Sequence, residues 1–358
     1  QTLCATIATL AGNPPGVGTG SWTVIAGGAI VTTPTSPTSG VTGLSVGVNT
    51  FRWTISNGIC PPSTDDITII RDEVPTISAA GPDQNVCDTI GTLAGNPPTV
   101  GTGLWTVIAG GATISTPTSP TSSVTGLSVG ANTFRWTISN GVCTSSVDDV
   151  TITRTNFPSI SAAGPDQNIC DTSGTLAGNP PTVGTGLWTA ITGGATITTP
   201  SSPTSGVTGL SVGTNTFRWT ISNGICPSSI DEITITRTDF PTVAVAGTNQ
   251  TICSSSSTLN GNPPSVGTGL WTVISGGATV TSPSSPTSGV TGLSVGTNIF
   301  SWTISNGICS ASSDTVTIYV DPFPTVANAG IDSTICSSSS ALNGNIPSIG
   351  TGIWTVVS

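Results

Sequence analysis

Thr133-Phe134-Arg135-Trp136-Thr137-Ile138-Ser139 alternates at every step, placing Phe134, Trp136 and Ile138 on one face and Arg135 and Thr137 on the other. This period of two predicts a half-buried β-strand. Asn140-Gly141 follows as a turn signal, and Asp149-Val150-Thr151-Ile152-Thr153 alternates again with Val150 and Ile152 inward, so the two stretches read as an antiparallel hairpin. Upstream, Leu104-Trp105-Thr106-Val107-Ile108, Ala112-Thr113-Ile114 and Ser123-Val124-Thr125 read as short strands, punctuated by Gly110-Gly111 and the stretch from Pro117 to Pro120. Thr92-Leu93-Ala94-Gly95 reads as a further strand, closed by Asn96-Pro97-Pro98. No window carries a helical period.

The same wording returns every 83 residues. One cysteine series is Cys4, Cys87, Cys170, Cys253 and Cys336, the other is Cys60, Cys143, Cys226 and Cys309, and tryptophan keeps the step in two series of its own, through Trp105 and through Trp136. Between 87–169 and 170–252 only 20 of 83 positions differ. Prolines at 75, 158, 241 and 324 follow the last strand of each unit and mark boundaries, since proline disfavours helical continuation before it. The expected division is 1–73 with an incomplete first strand, 74–156, 157–239, 240–322, and the beginning of a fifth unit over 323–358.

Composition bounds what such units can do. The 358 residues contain no lysine, histidine or methionine, and six arginines stand against 16 acids, for a net charge of -10. Phosphate binding needs clustered Lys and Arg, so nucleic acid is not an expected partner, and neither is an anionic membrane surface. No apolar run is long enough to span a bilayer as a helix, so no direct membrane insertion is expected of this stretch. The solvated faces must be built from Thr, Ser, Asn and Gly, which suits an extracellular protein. Cysteines in small repeated units point to an oxidising compartment.

Catalytic chemistry finds little material here. Without His or Lys, acid–base work would fall to carboxylates and to the single Tyr319. The paired acids Asp65-Asp66, Asp148-Asp149 and Asp231-Glu232 are strand neighbours and point to opposite faces, so they cannot flank one substrate. No enzyme, catalytic residue or cofactor is expected. A calcium site between units would draw on Asp72, Glu73, Asp83 and Asp88. These acids do not keep their places, however: Thr155 and Thr238 replace Asp72, and Asn249 replaces Asp83, which favours solubilising charge over a repeated metal site. A different charge pattern does travel together. Arg52, Arg135 and Arg218 become Ser301 in the fourth unit, while Asp66, Asp149 and Glu232 become Thr315. Alternation puts each arginine and its acid on the outer face of neighbouring strands, predicting the cross-strand pairs Arg52 with Asp66, Arg135 with Asp149, and Arg218 with Glu232.

About seven short strands per 83 residues predict an all-β fold, a tandem array of immunoglobulin-like β-sandwiches. Leu127-Ser128-Val129-Gly130-Ala131-Asn132-Thr133-Phe134 resembles the corner leading into strand F of fibronectin type III and polycystic-kidney-disease-type domains. Ala163-Gly164-Pro165-Asp166-Gln167-Asn168-Ile169-Cys170, with Trp219-Thr220-Ile221-Ser222-Asn223-Gly224-Ile225-Cys226, is similar to repeats of giant Bacteroidota surface proteins, the SprB-like gliding adhesins and other substrates of type IX secretion. That resemblance covers the whole chain. It implies an extracellular, cell-surface stalk that projects or forms an adhesive fibre, with other copies of itself or surface polysaccharide as partners. Two alternatives stay open: weak polysaccharide binding by every unit, acting through avidity, and an appendage of a secreted carbohydrate-active enzyme. The bacterial resemblance also implies short O-glycosylation acceptors at Thr89, Thr315 and Ser333, each preceded by or close to an aspartate.

Two cysteine pairings fit the units. Pairing within a unit would join Cys87 to Cys143. In immunoglobulin-like topology, though, the first series lies near the turn after strand A and the second in the loop between strands F and G, at the other end of the sandwich. A strand of five or six residues spans ~17–20 Å, and bridged Cα atoms lie within ~7 Å. Pairing between units would join Cys4 to Cys143, Cys87 to Cys226 and Cys170 to Cys309, and would stiffen the array.

Overall fold

A computed structural model describes residues 1–358. It contains 28 β-strands, seven in each of four successive stretches of sequence. Two compact units are present, one of Gln1–Ile160, Pro181–Thr185 and Ile221–Ser229, the other of Ser161–Pro180, Gly186–Thr220 and Ile230–Ser358.

The first stretch sets the pattern, with β1 (Thr2–Leu3), β2 (Ile7–Thr9), β3 (Thr19–Ala26), β4 (Ile30–Val31), β5 (Gly40–Thr42), β6 (Gly47–Ser56) and β7 (Ser63–Arg71). One sheet has the order β1-β7-β6-β3 and the other β2-β5-β4. The second stretch repeats it with β8 (Gln84–Val86), β9 (Ile90–Thr92), β10 (Thr102–Ala109), β11 (Thr113–Ile114), β12 (Ser123–Thr125), β13 (Gly130–Ser139) and β14 (Ser146–Arg154). The third and fourth stretches have the same two sheet orders, and all four are immunoglobulin-like sandwiches. Within each four-stranded sheet one pairing is parallel: β8 runs alongside the end of β14, with Ile152 opposite Gln84 and Arg154 opposite Val86.

The hairpin that opened the sequence reading is β13 and β14, in register from Gly130 opposite Arg154 to Ile138 opposite Ser146. Phe134, Trp136 and Ile138 are completely buried, as alternation requires. Trp136 packs on Trp105 with ring centroids 5.0 Å apart, and each indole N–H is satisfied: Trp105 donates to the Pro120 carbonyl at 3.0 Å and Trp136 to the Asn96 carbonyl at 3.1 Å. Gly103 lies under the Trp136 ring, where a Cβ would come within 2.1 Å of Cζ2, so the residue beneath the indole must be glycine. Leu93, Val124, Leu127, Val150 and Ile152 complete the core.

Two strands differ from the sequence reading. The strand expected at Thr92–Gly95 ends at Thr92. Beyond it the chain is held by isolated bonds, Leu93 N–H to the Ser122 carbonyl and Gly95 N–H to the Pro120 carbonyl, as Gly95 passes close over the two tryptophans. The short strand β8 has no period-two pattern to announce it, because its order comes from backbone pairing with β14. Residues 321–358 contain no strand.

Candidate functional site: the joint between repeats

The corner before β13 is built around Asn132, which is fully buried. Its Oδ1 accepts from Ser128 N–H at 3.0 Å, while Nδ2 donates to the carbonyls of Ser128 at 2.8 Å, Gly130 at 3.1 Å and Ile152 at 3.3 Å. A buried amide satisfied this fully fixes the corner and ties it to β14. Asn49, Asn215 and Asn298 make the same contacts in the other repeats. Sequence reasoning missed these residues, although Asn132 falls on the same face as Phe134 and Trp136 and keeps the 83-residue step.

The segment that leads into the second sandwich is strapped down almost from its first residue. Thr76 Oγ1 accepts from Thr99 and Val100 N–H at 2.9 and 2.8 Å. Asn96 clamps the next turn of chain, accepting from Ala79 N–H at 2.8 Å and donating to the Ile77 carbonyl at 2.9 Å. Asp148 accepts from Ala80 N–H at 2.7 Å, and Asp83 accepts from Thr151 N–H at 2.8 Å. Asp231 and Asp314 repeat the first of these acid contacts on Ala163 and Ala246. Only Glu73, Val74 and Pro75 separate this strapped segment from the Asp72 that follows β7, so little free linker exists.

Those few residues are gripped by the loop between β13 and β14. Asp72 Oδ2 accepts from Val142 N–H at 2.8 Å, and Asn140 Nδ2 donates to the Glu73 carbonyl at 2.7 Å. Asn223 and Asn306 make the corresponding bond to the carbonyls of Asn156 and Asp239, both at 2.8 Å. Across the same joint runs a disulfide, Cys4 to Cys143, with Cα atoms 5.1 Å apart. Cys87 is joined to Cys226 and Cys170 to Cys309 in the same way, and every bridge spans 139 residues. Cys60, Cys253 and Cys336 are free and exposed.

The within-repeat alternative, Cys87 with Cys143, is therefore corrected. Cys87 follows β8, which pairs with the C-terminal end of β14, whereas Cys143 precedes the N-terminal end of that strand. The nine residues of β14 hold the two sulfurs roughly 30 Å apart.

Arg52 and Asp66, and Arg135 and Asp149, stand at directly opposite positions, and Arg218 pairs with Glu232. Arg52 Nε reaches Asp66 at 2.7 Å, Arg135 Nε reaches Asp149 at 2.7 Å, and Arg218 Nη2 reaches Glu232 at 2.6 Å. Ser301 faces Thr315 at the same register in the fourth repeat. Hydrogen bonding to the guanidinium lowers the Asp66 and Asp149 carboxyl pKa values from the ordinary aspartate value, against a smaller opposing effect of desolvation. The remaining arginines were not singled out in the sequence. Arg71 donates Nη1 to the Leu44 carbonyl at 3.1 Å, and Arg237 bonds the Cys170 carbonyl and Asp239, which places this second arginine series at the joints. The buried Nε atoms of Arg71 and Arg154 have no hydrogen-bond partner.

The four calcium candidates are not gathered into a site. Asp72 and Asp83 direct side-chain oxygens at backbone N–H groups, and only the carbonyl of Glu73 takes part in the joint. No group of three or more Cys, Asp or Glu is placed to hold a metal ion. This also explains why Asn249 can stand for Asp83: its Oδ1 accepts from Thr317 N–H at 2.9 Å, and an amide oxygen serves that bond as well as a carboxylate. Thr89, Thr315 and Ser333 are all exposed. No helix is long and apolar enough to cross a membrane, which says nothing of β-barrels.

No protein-family model matches the sequence. No curated protein matches it either. Among solved structures, the chain is similar to the N-terminal eight Ig domains of Down Syndrome Cell Adhesion Molecule isoform 1.30.30, at 15% identity and TM-score 0.46, over 90% of this chain and 48% of that one. It therefore spans about half the length of that structure. It is also similar to the insect immune protein hemolin, at 12% identity and TM-score 0.28 over 90% and 97% of the two chains. Drosophila N-cadherin EC1-4 aligns at 12% identity and TM-score 0.30, over 90% and 98%.

Proposed function

We propose that this chain is a non-enzymatic repeat region of a large extracellular surface adhesin or filament, acting as a stalk that holds a binding region away from its base. The observation that carries this reading is the joint: the same disulfide recurs between successive repeats, beside an asparagine bond that recurs with it and an entry segment bonded along its length. A chain built to bind at each unit has no need of such joints, whereas a spacer does. Disulfides at three successive joints fit an oxidising, extracellular setting. The sequence resemblance to SprB-like gliding adhesins supports a cell-surface location and export by type IX secretion, with other copies of the chain as partners under this reading and surface polysaccharide under the one that follows.

One observation favours a second reading, weak polysaccharide binding by each repeat. Hydroxyl-bearing residues cluster on the outer face of the four-stranded sheet, with Thr106 beside Arg135, and Thr133 opposite Thr151. Repetition along a chain would turn weak contacts into avidity. Glycan-array binding by the full chain separates the two. The stalk reading expects no carbohydrate to be retained, and retention that grows with repeat number would replace it.

A further inference from the structure

Each disulfide spans 139 residues, and the cysteines that follow one another along the chain, Cys60 and Cys87, Cys143 and Cys170, Cys226 and Cys253, are 27 residues apart. A covalent path can therefore leave Cys4, cross to Cys143, follow the backbone to Cys170 and cross to Cys309. It covers 305 residues of sequence on 27 peptide steps and two disulfides. A second path runs from Cys60 along the backbone to Cys87, across to Cys226 and on to Cys253. The two paths interleave and share no backbone.

Resting on the reading of this chain as a stalk, we propose that the disulfides form two interleaved covalent paths, of which the shorter, through Cys4–Cys143 and Cys170–Cys309, carries load along the array and limits its extension whether or not the sandwiches stay folded. In the first path the load-bearing backbone is β14, the segment that enters the third repeat, and the strand Gln167–Ile169. Those strands are already extended. Between them, Ser159 accepts from Val183 N–H, Ala162 N–H is held by Asn179 and Ala163 N–H by Asp231, so slack is short. Fully drawn out, 27 steps reach about 90 Å. The strands from Ile90 to Ser139 lie outside this path, and their unfolding does not lengthen it. Loss of Cys4–Cys143 shifts the load onto Cys87–Cys226, from which the route runs back to Cys170 and across to Cys309.

The lengths follow from connectivity alone. With all three bridges closed, 79 peptide steps separate the termini by the shortest covalent route, reaching about 280 Å with the bridges included. With all three reduced, 357 steps reach about 1200 Å. A Cys4→Ser, Cys143→Ser double variant forces the route through Cys87–Cys226 and back to Cys170, 191 steps reaching about 650 Å. The test is single-molecule pulling of the full chain between enzymatically tagged termini, oxidised and then reduced with a phosphine. The expected result is a limiting length that grows about fourfold on reduction, with the double variant between the two. An oxidised chain that lengthens past about 300 Å in successive steps, or a double variant no longer than the oxidised wild type, would overturn the proposal. Carbohydrate binding in the array assay would instead remove the stalk reading and leave these lengths unchanged.

Discussion

Arg135 and Asp149 face each other across β13 and β14, with Nε and Nη2 of the arginine donating to the two carboxylate oxygens at 2.7 and 2.8 Å. The pair is solvent-exposed, so its contribution is small and screened by salt. Asp149 has a folded-state pKa below its unfolded value. Its stabilisation is therefore fully present above the unfolded-state pKa and is lost as pH falls through the folded-state pKa. Replacing Arg135 by Ser and Asp149 by Thr, as the fourth repeat does, is expected to leave the melting temperature at pH 7 nearly unchanged and to flatten its decline in acid. Thermal melts across the acid range, at low and high salt, check this. A large loss at pH 7 would show that the pair does more than its exposure allows.

Asn132→Ala should be far more costly than any change to the ion pair. It removes four hydrogen bonds from a fully buried corner and leaves the Ser128 and Ile152 carbonyls to find other partners. A loss of at least about 2 kcal/mol is expected. Urea denaturation followed by tryptophan fluorescence measures it, with the half-buried, outward-facing Thr137→Ala as the control.

Gly103→Ala places a methyl against the Trp136 indole. Overpacking of this kind costs about 1–3 kcal/mol. The expected signature is an altered tryptophan emission together with an earlier unfolding midpoint, and a silent substitution would mean that the ring has room to move.

The chain contains only two glutamates, Glu73 and Glu232, which makes the joint open to a specific protease. Glutamyl endopeptidase should leave the oxidised wild type largely intact at Glu73. Asn140→Ala, which frees the Glu73 carbonyl, should speed cleavage there, and more so after reduction of Cys4–Cys143. Equal cleavage rates in wild type and variant would show that the asparagine does not hold the joint.

Trypsin cuts after the six arginines and separates every cysteine partner. Non-reducing digestion should give the peptide 72–135, carrying Cys87, linked to 219–237, carrying Cys226. A link from 72–135 to 136–154 would restore the within-repeat pairing.

The parts of the fold legible in the sequence were those whose side chains alternate. The hairpin of β13 and β14 and its outward charges follow from the period of two, because one face is core and the other water. What alternation could not reveal is order held by backbone and amide groups. The strand β8 is paired through its main chain, and Asn96 and Asn132 act by bonding main-chain atoms. Such residues look like loop polarity in one copy. Comparison between copies carried the missing signal: Asp148 has an aspartate counterpart even in the fourth repeat, at Asp314, where its neighbour Asp149 has become Thr315. The retained acid is the one that binds backbone.

The disulfide and the asparagine bond of the joint link one repeat to the next and recur at the same step. Removing or inserting a whole 83-residue unit would therefore leave each internal cysteine with a partner and each strapped segment with its asparagine. Near-identical units invite recombination between their coding sequences, and this joint makes the products foldable. The length of the array is thus a trait that can drift or be selected in single-unit steps, with no need to re-engineer what lies on either side.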